Sequence, residues 1–228
     1  MITALQQQFK KAPVTVSLVL LTAVVFVIEL AVGHGQTSSG QLLVGLGAKW
    51  GPYIAGYHQY WRLVMPIFLH AGWLHIFTNM LTLWFIGPLA ETAFGHRKFL
   101  GLYLFGGVVG NIWSYLFAPL TVSVGASTAL FGLFGGLLIF ASQFRHDPQI
   151  RAQGTTMLLF VGLNLVSGFA ANGVDMWGHI GGLCGGMLYA GMFGFYGHSG
   201  RLPIPMRLTL AGVSVVLLIL TYLAKGGL

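Results

Sequence analysis

Residues 122–136 read VSVGASTALFGLFGG, an apolar segment in which a serine and a threonine follow a glycine near the start. Uncharged stretches of this kind predict a helix buried in protein or in lipid. The hydroxyl of Ser127 has two interpretations. Serine is common where membrane helices pack closely, and a serine beside a suitable base is a nucleophile. The rest of the chain decides between the two.

The composition is that of an integral membrane domain. Of the 228 residues, 56% are hydrophobic and 7% are charged, whereas a soluble domain carries about 25% charged residues. The net charge of +7 does not indicate nucleic-acid binding, because the Lys and Arg residues are scattered and form no basic stripe. Long apolar runs predict seven membrane-spanning helices and hence an all-α membrane protein. The predicted spans are 13–33, 68–90, 98–118, 125–143, 155–172, 177–196 and 206–224.

The positions of Lys and Arg predict how these spans are oriented. Basic residues favour cytoplasmic loops. One side of the predicted membrane carries Lys10, Lys11, Arg97, Lys98, Arg145, Arg151, Arg201 and Arg207, and the other carries Lys49, Arg62 and Lys225. We therefore expect a cytoplasmic N-terminus and an external C-terminus. The long external connection 34–67 is rich in aromatic residues, which suits an element at the level of the lipid headgroups.

Polar side chains on three spans are expected at similar depths in the outer half of the membrane. His75 and Asn79 are four residues apart on the second span and share a helix face. His70 is five residues before His75, further round the predicted helix. Ser127 and His179 each lie only a few residues inside a span that begins on the outer side. Polar groups inside a membrane are expensive, so each is a candidate functional residue.

Small residues, mostly glycines, recur every four residues on the two spans that carry Ser127 and His179. The fourth span has Thr128, Gly132 and Gly136, and the sixth has Gly178, Gly182 and Gly186. Small residues at this spacing let helix backbones approach closely, which is usually a matter of packing alone. Because a serine oxygen and a histidine nitrogen must come within about 2.6–3.2 Å to share a proton, the same stripes would also allow a Ser–His pair.

Other assignments of the polar residues are weaker. A helical zinc site would have histidines at i and i+4 with a glutamate, whereas His70 and His75 are five apart with no carboxylate between them. We therefore expect no metal and no cofactor. Asp175 precedes His179 by four residues and is better interpreted as a helix N-cap than as the third member of a triad. Glu29 and Glu91 lie near span ends, where an interfacial structural role is expected.

Taken together, three segments resemble the rhomboid intramembrane serine proteases. Residues 61–104 resemble the family's Trp-Arg loop and second span, with Trp61, Arg62, His70, His75, Asn79 and Glu91 in the matching positions. GASTALFGLFGG, with Gly125 and Ser127, resembles the nucleophile segment. WGHIGGLCGG resembles the segment that carries the base, with His179 followed by Gly182 and Gly186. The resemblance covers about residues 45–190.

The resemblance implies a six-helix protease core with one further C-terminal span, as in many bacterial members. Residues 1–12 would then be a short cytoplasmic N-terminus, 13–196 the core, and 197–228 a loop and the seventh helix. Such a protein would lie in the plasma membrane, with its active site open to the extracellular side. It would cleave single-span membrane proteins within the bilayer, using Ser127 as nucleophile and His179 as general base. Asn79, His75 and the backbone N–H of Ser127 would stabilise the oxyanion.

The chain departs from the family pattern at Thr128, where the family usually has glycine after the serine, and at Phe131, where some relatives have tyrosine. Threonine is small enough for the helix contact, and its hydroxyl can bond to a carbonyl in the preceding turn, so we expect an active enzyme in spite of Thr128. The alternative is that Thr128 pushes the two helices apart and leaves Ser127 out of reach of His179. The protein would then be inactive.

Two other functions compete with a protease. One is a catalytically inactive rhomboid-like protein that binds membrane clients, but inactive relatives usually lose the serine or the histidine, and this chain keeps both. The other is a transporter or channel, which needs polar residues through the full depth of the membrane. Inner segments such as LLIFASQF offer few. The sequence leaves the oligomeric state open.

Overall fold

The computed structural model describes residues 10–170 and 173–197 together with Gly212, and this part of the chain is helical. The long helices follow the apolar runs of the sequence, and glycine or proline stands near most of their ends. The α-helices are α1 (Pro13–Val32), α2 (Gly40–Leu46), α3 (Gly51–Gly56), α4 (Trp73–Phe94), α5 (His96–Phe117), α6 (Ser127–Gln143), α7 (Pro148–Ala170) and α8 (Met176–Phe193).

The six long helices correspond to the first six predicted spans. Four described helices, namely α1, α4, α5 and the Pro148–Phe169 part of α7, are long and apolar enough to cross a membrane. Helix α6 is apolar but has only 17 residues, and the 18 residues of α8 include many glycines. The predicted seventh span, 206–224, lies outside the described residues apart from Gly212.

The second span begins later than its hydropathy predicts. Predicted for residues 68–90, the helix covers Trp73–Phe94, because Gly72, with a φ of 98°, precedes its first residue. A left-handed backbone at this position favours glycine and breaks the helix. The prediction that His70 lies on the same helix as His75 is therefore wrong. His70 belongs to the turn before α4.

The connection 34–67 folds into two short helices, α2 and α3, and two 3₁₀ turns, Tyr60–Leu63 and Met65–Ile67. Buried Arg62 holds this segment together, because its Nη1 donates to the carbonyl oxygens of Val44 and Ala48 at 2.7 and 3.1 Å. Its guanidinium also stacks on Tyr53 and Trp61, 4.7 Å from each ring centroid. The Trp61 ring packs against Gly47 and fills the space that a side chain at that position would need. Trp61 and Arg62 thus shape the connection 34–67 and do not enter the site described below.

Glycines bring three helices to backbone contact at the centre of the fold. A Cβ atom on Gly182 or Gly186 of α8 would lie well under 3.0 Å from the carbonyl oxygen of Thr128 or Gly132 of α6, respectively. On its other side, Gly132 meets Gly106 of α5, where an added Cβ would be 2.8 Å from the Gly106 Cα. We call these contacts between α5, α6 and α8 the glycine seam. The expected close contact of α6 and α8 is confirmed, and the part played by α5 was not expected.

Glu29 and Glu91 lie near the ends of α1 and α4, as predicted, and their side chains are buried within the protein. Their level relative to the membrane interface stays a prediction. The Glu91 carboxylate accepts hydrogen bonds from Val14 N and Thr15 N, at 3.0 and 2.8 Å, and from Thr15 Oγ1. His96 Nδ1 also lies 2.6 Å from Glu91 Oε1. Glu29 accepts from the backbone N–H of His70 at 3.1 Å. Both carboxylates have a structural role, in which each binds backbone donors of another segment.

Candidate active site

Ser127 and His179 form a hydrogen bond across the glycine seam. His179 Nε2 lies 2.9 Å from Ser127 Oγ, within the range needed for proton transfer. Ser127 is the first residue of α6, and His179 lies in the first turn of α8. Because both side chains are short, this distance depends on the contact of Gly182 with the Thr128 carbonyl one turn away. The sequence-based expectation that glycines bring the pair together is confirmed.

His179 is oriented by packing rather than by a carboxylate. Its ring stacks on Phe131, with centroids 4.4 Å apart and planes inclined by 10°. Its Nδ1 is buried without a hydrogen-bond partner in the described part of the chain. Asp175 caps α8 instead, since its carboxylate accepts from Gly178 N at 3.0 Å. The expected N-cap is confirmed, and we use the word dyad for the hydrogen-bonded pair Ser127 and His179.

His75 and Asn79 of α4 face the backbone just before Ser127. A Cβ atom on Gly125 would lie 2.6 Å from His75 Nε2 and 3.3 Å from Asn79 Nδ2, and Gly125 itself has a φ of 120°. Only glycine tolerates both that conformation and that approach. His75 Nδ1 accepts from Ala71 N at 3.3 Å, so the ring proton is on Nε2, which faces the site. Asn79 Nδ2 is buried and has no partner within the described residues.

These two side chains therefore present N–H donors toward one point. Ser127, as the first residue of α6, adds a backbone N–H that has no acceptor within its own helix. Three donors beside a Ser–His pair form an arrangement that can stabilise a negatively charged oxygen. No group of three or more His, Cys, Asp or Glu residues within 10–170 and 173–197 is arranged to hold a metal ion.

His70 supports the nucleophile segment from the turn before α4. Its Nδ1 is 3.2 Å from the Phe68 carbonyl, to which it donates, and its Nε2 accepts from Ala126 N at 3.4 Å. Burial, with a smaller contribution from neighbouring His75, lowers the pKa of His70 to about 3. The ring is thus neutral at neutral pH, as an Nε2 acceptor must be. Gly125 N also donates to Pro66 O at 2.8 Å, so this turn holds the segment at two adjacent residues.

The dyad and the donors line one cavity of about 690 Å³. The cavity is bordered by α4 on one side and by Asn164 and Ser167 of α7 on another. Glu91 does not belong to it, because it lies 16 residues beyond His75 on α4, roughly 24 Å away along the helix. A cavity with mixed polar and apolar walls can hold an extended peptide together with water.

Thr128 fits between the helices without separating them. Its side chain packs where Gly110 of α5 and Gly178 of α8 have no Cβ. The expected hydrogen bond of its hydroxyl to a preceding carbonyl is wrong, because Oγ1 is buried with no partner in the described ranges. A hydroxyl in the second residue of a helix has no earlier helical carbonyl within reach. The 2.9 Å Ser127–His179 contact also contradicts the alternative in which Thr128 holds the pair apart.

Two features of the site were missed from the sequence. Gly106 and Gly110 of α5 complete the glycine seam, and their signal was present in FGGVVGN, residues 105–111. Ser114 and Ser123 both donate to Asp175 Oδ2. They lie 61 and 52 residues from Asp175 in the chain, and no local pattern connects them.

Comparison with known proteins shows the family. The Rhomboid domain model matches residues 57–195. The chain is 40% identical to rhomboid protease GluP of Bacillus subtilis over 74% of its own length and 32% of that protein's. It is 38% identical to rhomboid-like protease 1 of Toxoplasma gondii, over 66% of this chain and 54% of that one. Rhomboid-like protease 3 of the same organism is 31% identical over 72% and 63%.

The chain thus spans about a third to two thirds of the length of these relatives. The matched domain covers more than half of this chain and includes α4 to α8 with every residue of the dyad and its donors. With its several apolar helices, the chain is a multi-pass membrane protein that belongs to the rhomboid family.

Proposed function

We propose that the protein is an intramembrane serine endopeptidase that cleaves transmembrane segments of other membrane proteins. The 2.9 Å contact between His179 Nε2 and Ser127 Oγ carries this proposal. It occurs inside a chain whose relatives are named rhomboid proteases. A serine hydroxyl is a weak nucleophile until a base takes its proton, and His179 is positioned to do so.

The reaction follows the usual course of acyl transfer. His179 Nε2 takes the proton of Ser127 as Oγ attacks the scissile carbonyl carbon. His179 then donates this proton to the leaving amine as the C–N bond breaks, which leaves an acyl-enzyme ester. In the second half, His179 takes a proton from a water that attacks the ester. It returns the proton to Ser127 Oγ as the ester bond breaks and the new carboxyl product leaves.

The oxyanion of each tetrahedral intermediate would be bound by His75 Nε2–H, Asn79 Nδ2–H and the backbone N–H of Ser127. Asn79 Nδ2 is buried without a partner in the described structure, which supports this role, because an unsatisfied buried donor is costly unless a ligand uses it. His75 is fixed as an Nε2–H donor by its bond from Ala71 N. Gly125 leaves the room in which the substrate carbonyl would lie.

The substrates that this arrangement suits are single-span membrane proteins. The cavity of about 690 Å³ lies between apolar helices, and hydrolysis needs water, so the site has to meet both lipid and an aqueous phase. The distribution of Lys and Arg favours a cytoplasmic N-terminus and an active site on the opposite side of the membrane. We place the protein in the plasma membrane, as the family resemblance implies, so that the site opens to the extracellular side. In this arrangement 13–196 is the protease core, and 197–228 adds the seventh helix.

A rhomboid-like client-binding protein without activity is the second candidate. The buried and unpartnered Thr128 hydroxyl favours it, because that group occupies the family's usual glycine position beside the nucleophile. The 2.9 Å contact between Ser127 and His179 and the cavity that they line argue against it. An inactive protein has no use for an unpaired Asn79 amide next to a hydrogen-bonded Ser–His pair.

Labelling with a fluorophosphonate serine probe tests the proposal in the detergent-solubilised full-length protein. We expect covalent labelling at Ser127 and cleavage of a single-span reporter in liposomes. Ser127→Ala should lose both, and His179→Ala should lose nearly all of both, while each variant keeps its helical circular dichroism. Ser142→Ala is the matched control, since Ser142 is an exposed serine near the end of α6 that bonds to Ile139 O. Cleavage by a pure Ser127→Ala preparation would refute the proposal.

A further inference from the structure

Ser123 lies four residues before Ser127 and is fixed from two directions. Its backbone pairs with Lys49, since Lys49 N donates to Ser123 O and Ser123 N to Lys49 O, each at 3.0 Å. Its hydroxyl donates to Asp175 Oδ2. The segment that leads into the nucleophile is therefore attached to the external loop on one side and to the start of α8 on the other.

The Lys49 side chain is fully buried, with 0% exposed. Its ammonium group caps the C-terminal end of helix α5. Nζ donates to the carbonyl oxygens of Ala118 at 2.8 Å and Thr121 at 2.7 Å, and it lies 3.4 Å from Ser114 O. An ammonium ion has three donors, so these three carbonyls match its capacity. Burying a cation costs free energy unless other groups compensate its charge. The three carbonyl oxygens around the Lys49 ammonium group provide this compensation.

Asp175 connects the same elements to the base. Its Oδ2 accepts from the hydroxyls of Ser114 on α5 and Ser123, and its Oδ1 accepts from Gly178 N. His179 N donates to the Asp175 carbonyl oxygen at 3.2 Å. One half-buried residue thus contacts α5, the nucleophile segment and the first turn of α8. Ser123 and Asp175 stand four residues before Ser127 and His179, respectively.

From these contacts, and resting on the proposed function, we propose that Lys49, Ser114, Ser123 and Asp175 are positioning residues for the dyad. We call them the Asp175 cluster. The carboxylate makes no hydrogen bond to the His179 ring and acts instead through the backbone, by fixing the start of α6 relative to the start of α8. A displacement of about 1 Å between reacting groups can reduce a rate by about a hundredfold, so this attachment has a large effect on turnover.

Two variants separate positioning from simple capping. Asp175→Asn keeps a good N-cap residue for α8 but replaces Oδ2 with a donor. Ser114→Ala/Ser123→Ala keeps the carboxylate and its bond to Gly178 N but removes the two hydroxyls. In both, we expect kcat to fall about tenfold or more with KM changed less than about twofold, because the side chains at Ser123 and Asp175, which line the cavity, keep nearly the same size. The rate of fluorophosphonate labelling at Ser127 should fall in proportion.

Ser142→Ala serves as control and should keep wild-type kcat, KM and labelling rate. A purely structural role would lower the melting temperature while kcat per folded molecule stayed at the wild-type value. That result in both variants would overturn the proposal. If Asp175→Asn does not fold, the single variants Ser114→Ala and Ser123→Ala take its place.

Amide hydrogen exchange in the wild type and the same variants gives a readout that needs no activity. We expect faster exchange in residues 119–128 and 176–180 and unchanged exchange in α1. If the wild type neither cleaves nor labels, the proposed function fails, and exchange still decides the positioning role. Unchanged exchange in both segments would then overturn it, and faster exchange in both would support it.

Discussion

The helices around Ser127 are packed in two different ways. In the glycine seam, α5, α6 and α8 meet backbone to backbone, and a methyl group added at Gly106, Gly182 or Gly186 would overlap a neighbouring main chain. Helices α4 and α7 instead contact α6 through side chains and leave wide apolar surfaces uncovered. Leu74 and Phe85 of α4 are 76% and 70% exposed, and Val166 of α7 is 72% exposed.

The two kinds of packing coincide with two roles in the proposed chemistry, proton transfer and stabilisation of the oxyanion. The proton-transfer pair belongs to the seam, where a separation larger by about half an ångström would take the 2.9 Å contact beyond the range for proton transfer. The oxyanion donors His75 and Asn79 lie on α4, in the more loosely packed group. Each donor supplies only part of the stabilisation, so an error there costs less. We therefore expect substitutions in the glycine seam to abolish cleavage and substitutions in α4 or α7 to reduce its rate only in part.

Gly186→Ala should have the largest effect. The new methyl carbon would overlap the Gly132 carbonyl oxygen, and such a carbon–oxygen contact needs roughly 3.3 Å. Helices α6 and α8 would have to move apart, which takes Ser127 beyond hydrogen-bonding distance of His179. We expect cleavage to fall below detection, with a lower melting temperature. Gly162→Ala in α7 is the matched control, because nothing lies within 4 Å of its added carbon, and it should keep full activity.

Asn79→Ala tests the flanking group and should have an intermediate effect. Loss of one oxyanion donor typically reduces kcat by about a hundred- to a thousandfold. His75 and the Ser127 backbone would still bind the oxyanion, so residual turnover should be measurable above the Ser127→Ala background. Steady-state cleavage in liposomes gives kcat and KM separately. A variant with normal kcat would show that Asn79 is a packing residue.

Thr128→Val should have the smallest effect on activity. Valine keeps the shape that fills the space beside Gly110 and Gly178 and removes the buried hydroxyl that has no partner in the described chain. We expect kcat within about threefold of the wild type. Stability should rise by about 1 kcal/mol, because an unsatisfied buried hydroxyl is destabilising. Unfolding in a graded detergent titration measures this change. A clear loss of stability would mean that the hydroxyl does have a partner in the membrane.

The contrast between the two groups of helices also explains what the sequence could predict. Hydropathy located six described helices to within a few residues at most ends, and the spacing of Gly178, Gly182 and Gly186 indicated which face of α8 is in contact. Ser127 and His179 could be paired because both stand at the start of glycine-rich helices. These signals are local, since a helix repeats every 3.6 residues and places i and i+4 on one face.

Features that depend on distant contacts escaped prediction. The turn that ends before Trp73 is held by Glu29, whose carboxylate binds His70 N from 41 residues away. Hydropathy does not show this contact and therefore predicts that residues 68–72 belong to the helix. The hydroxyl of Thr128 was expected to find a carbonyl, but α6 begins one residue before it, and its other surroundings are glycines of α5 and α8.

The carboxylate of Glu91 has a consequence for the order of assembly during synthesis. Helix α1 begins with Ala12, which offers no capping side chain, and Pro13, which has no N–H. Its first peptide donors, Val14 N and Thr15 N, are bound by Glu91, which follows 77 and 76 residues later in the chain. At a translation rate of about 5–20 residues per second, roughly 4–15 seconds pass before that acceptor exists. During this interval these donors need another acceptor, and water is the one available at a helix end.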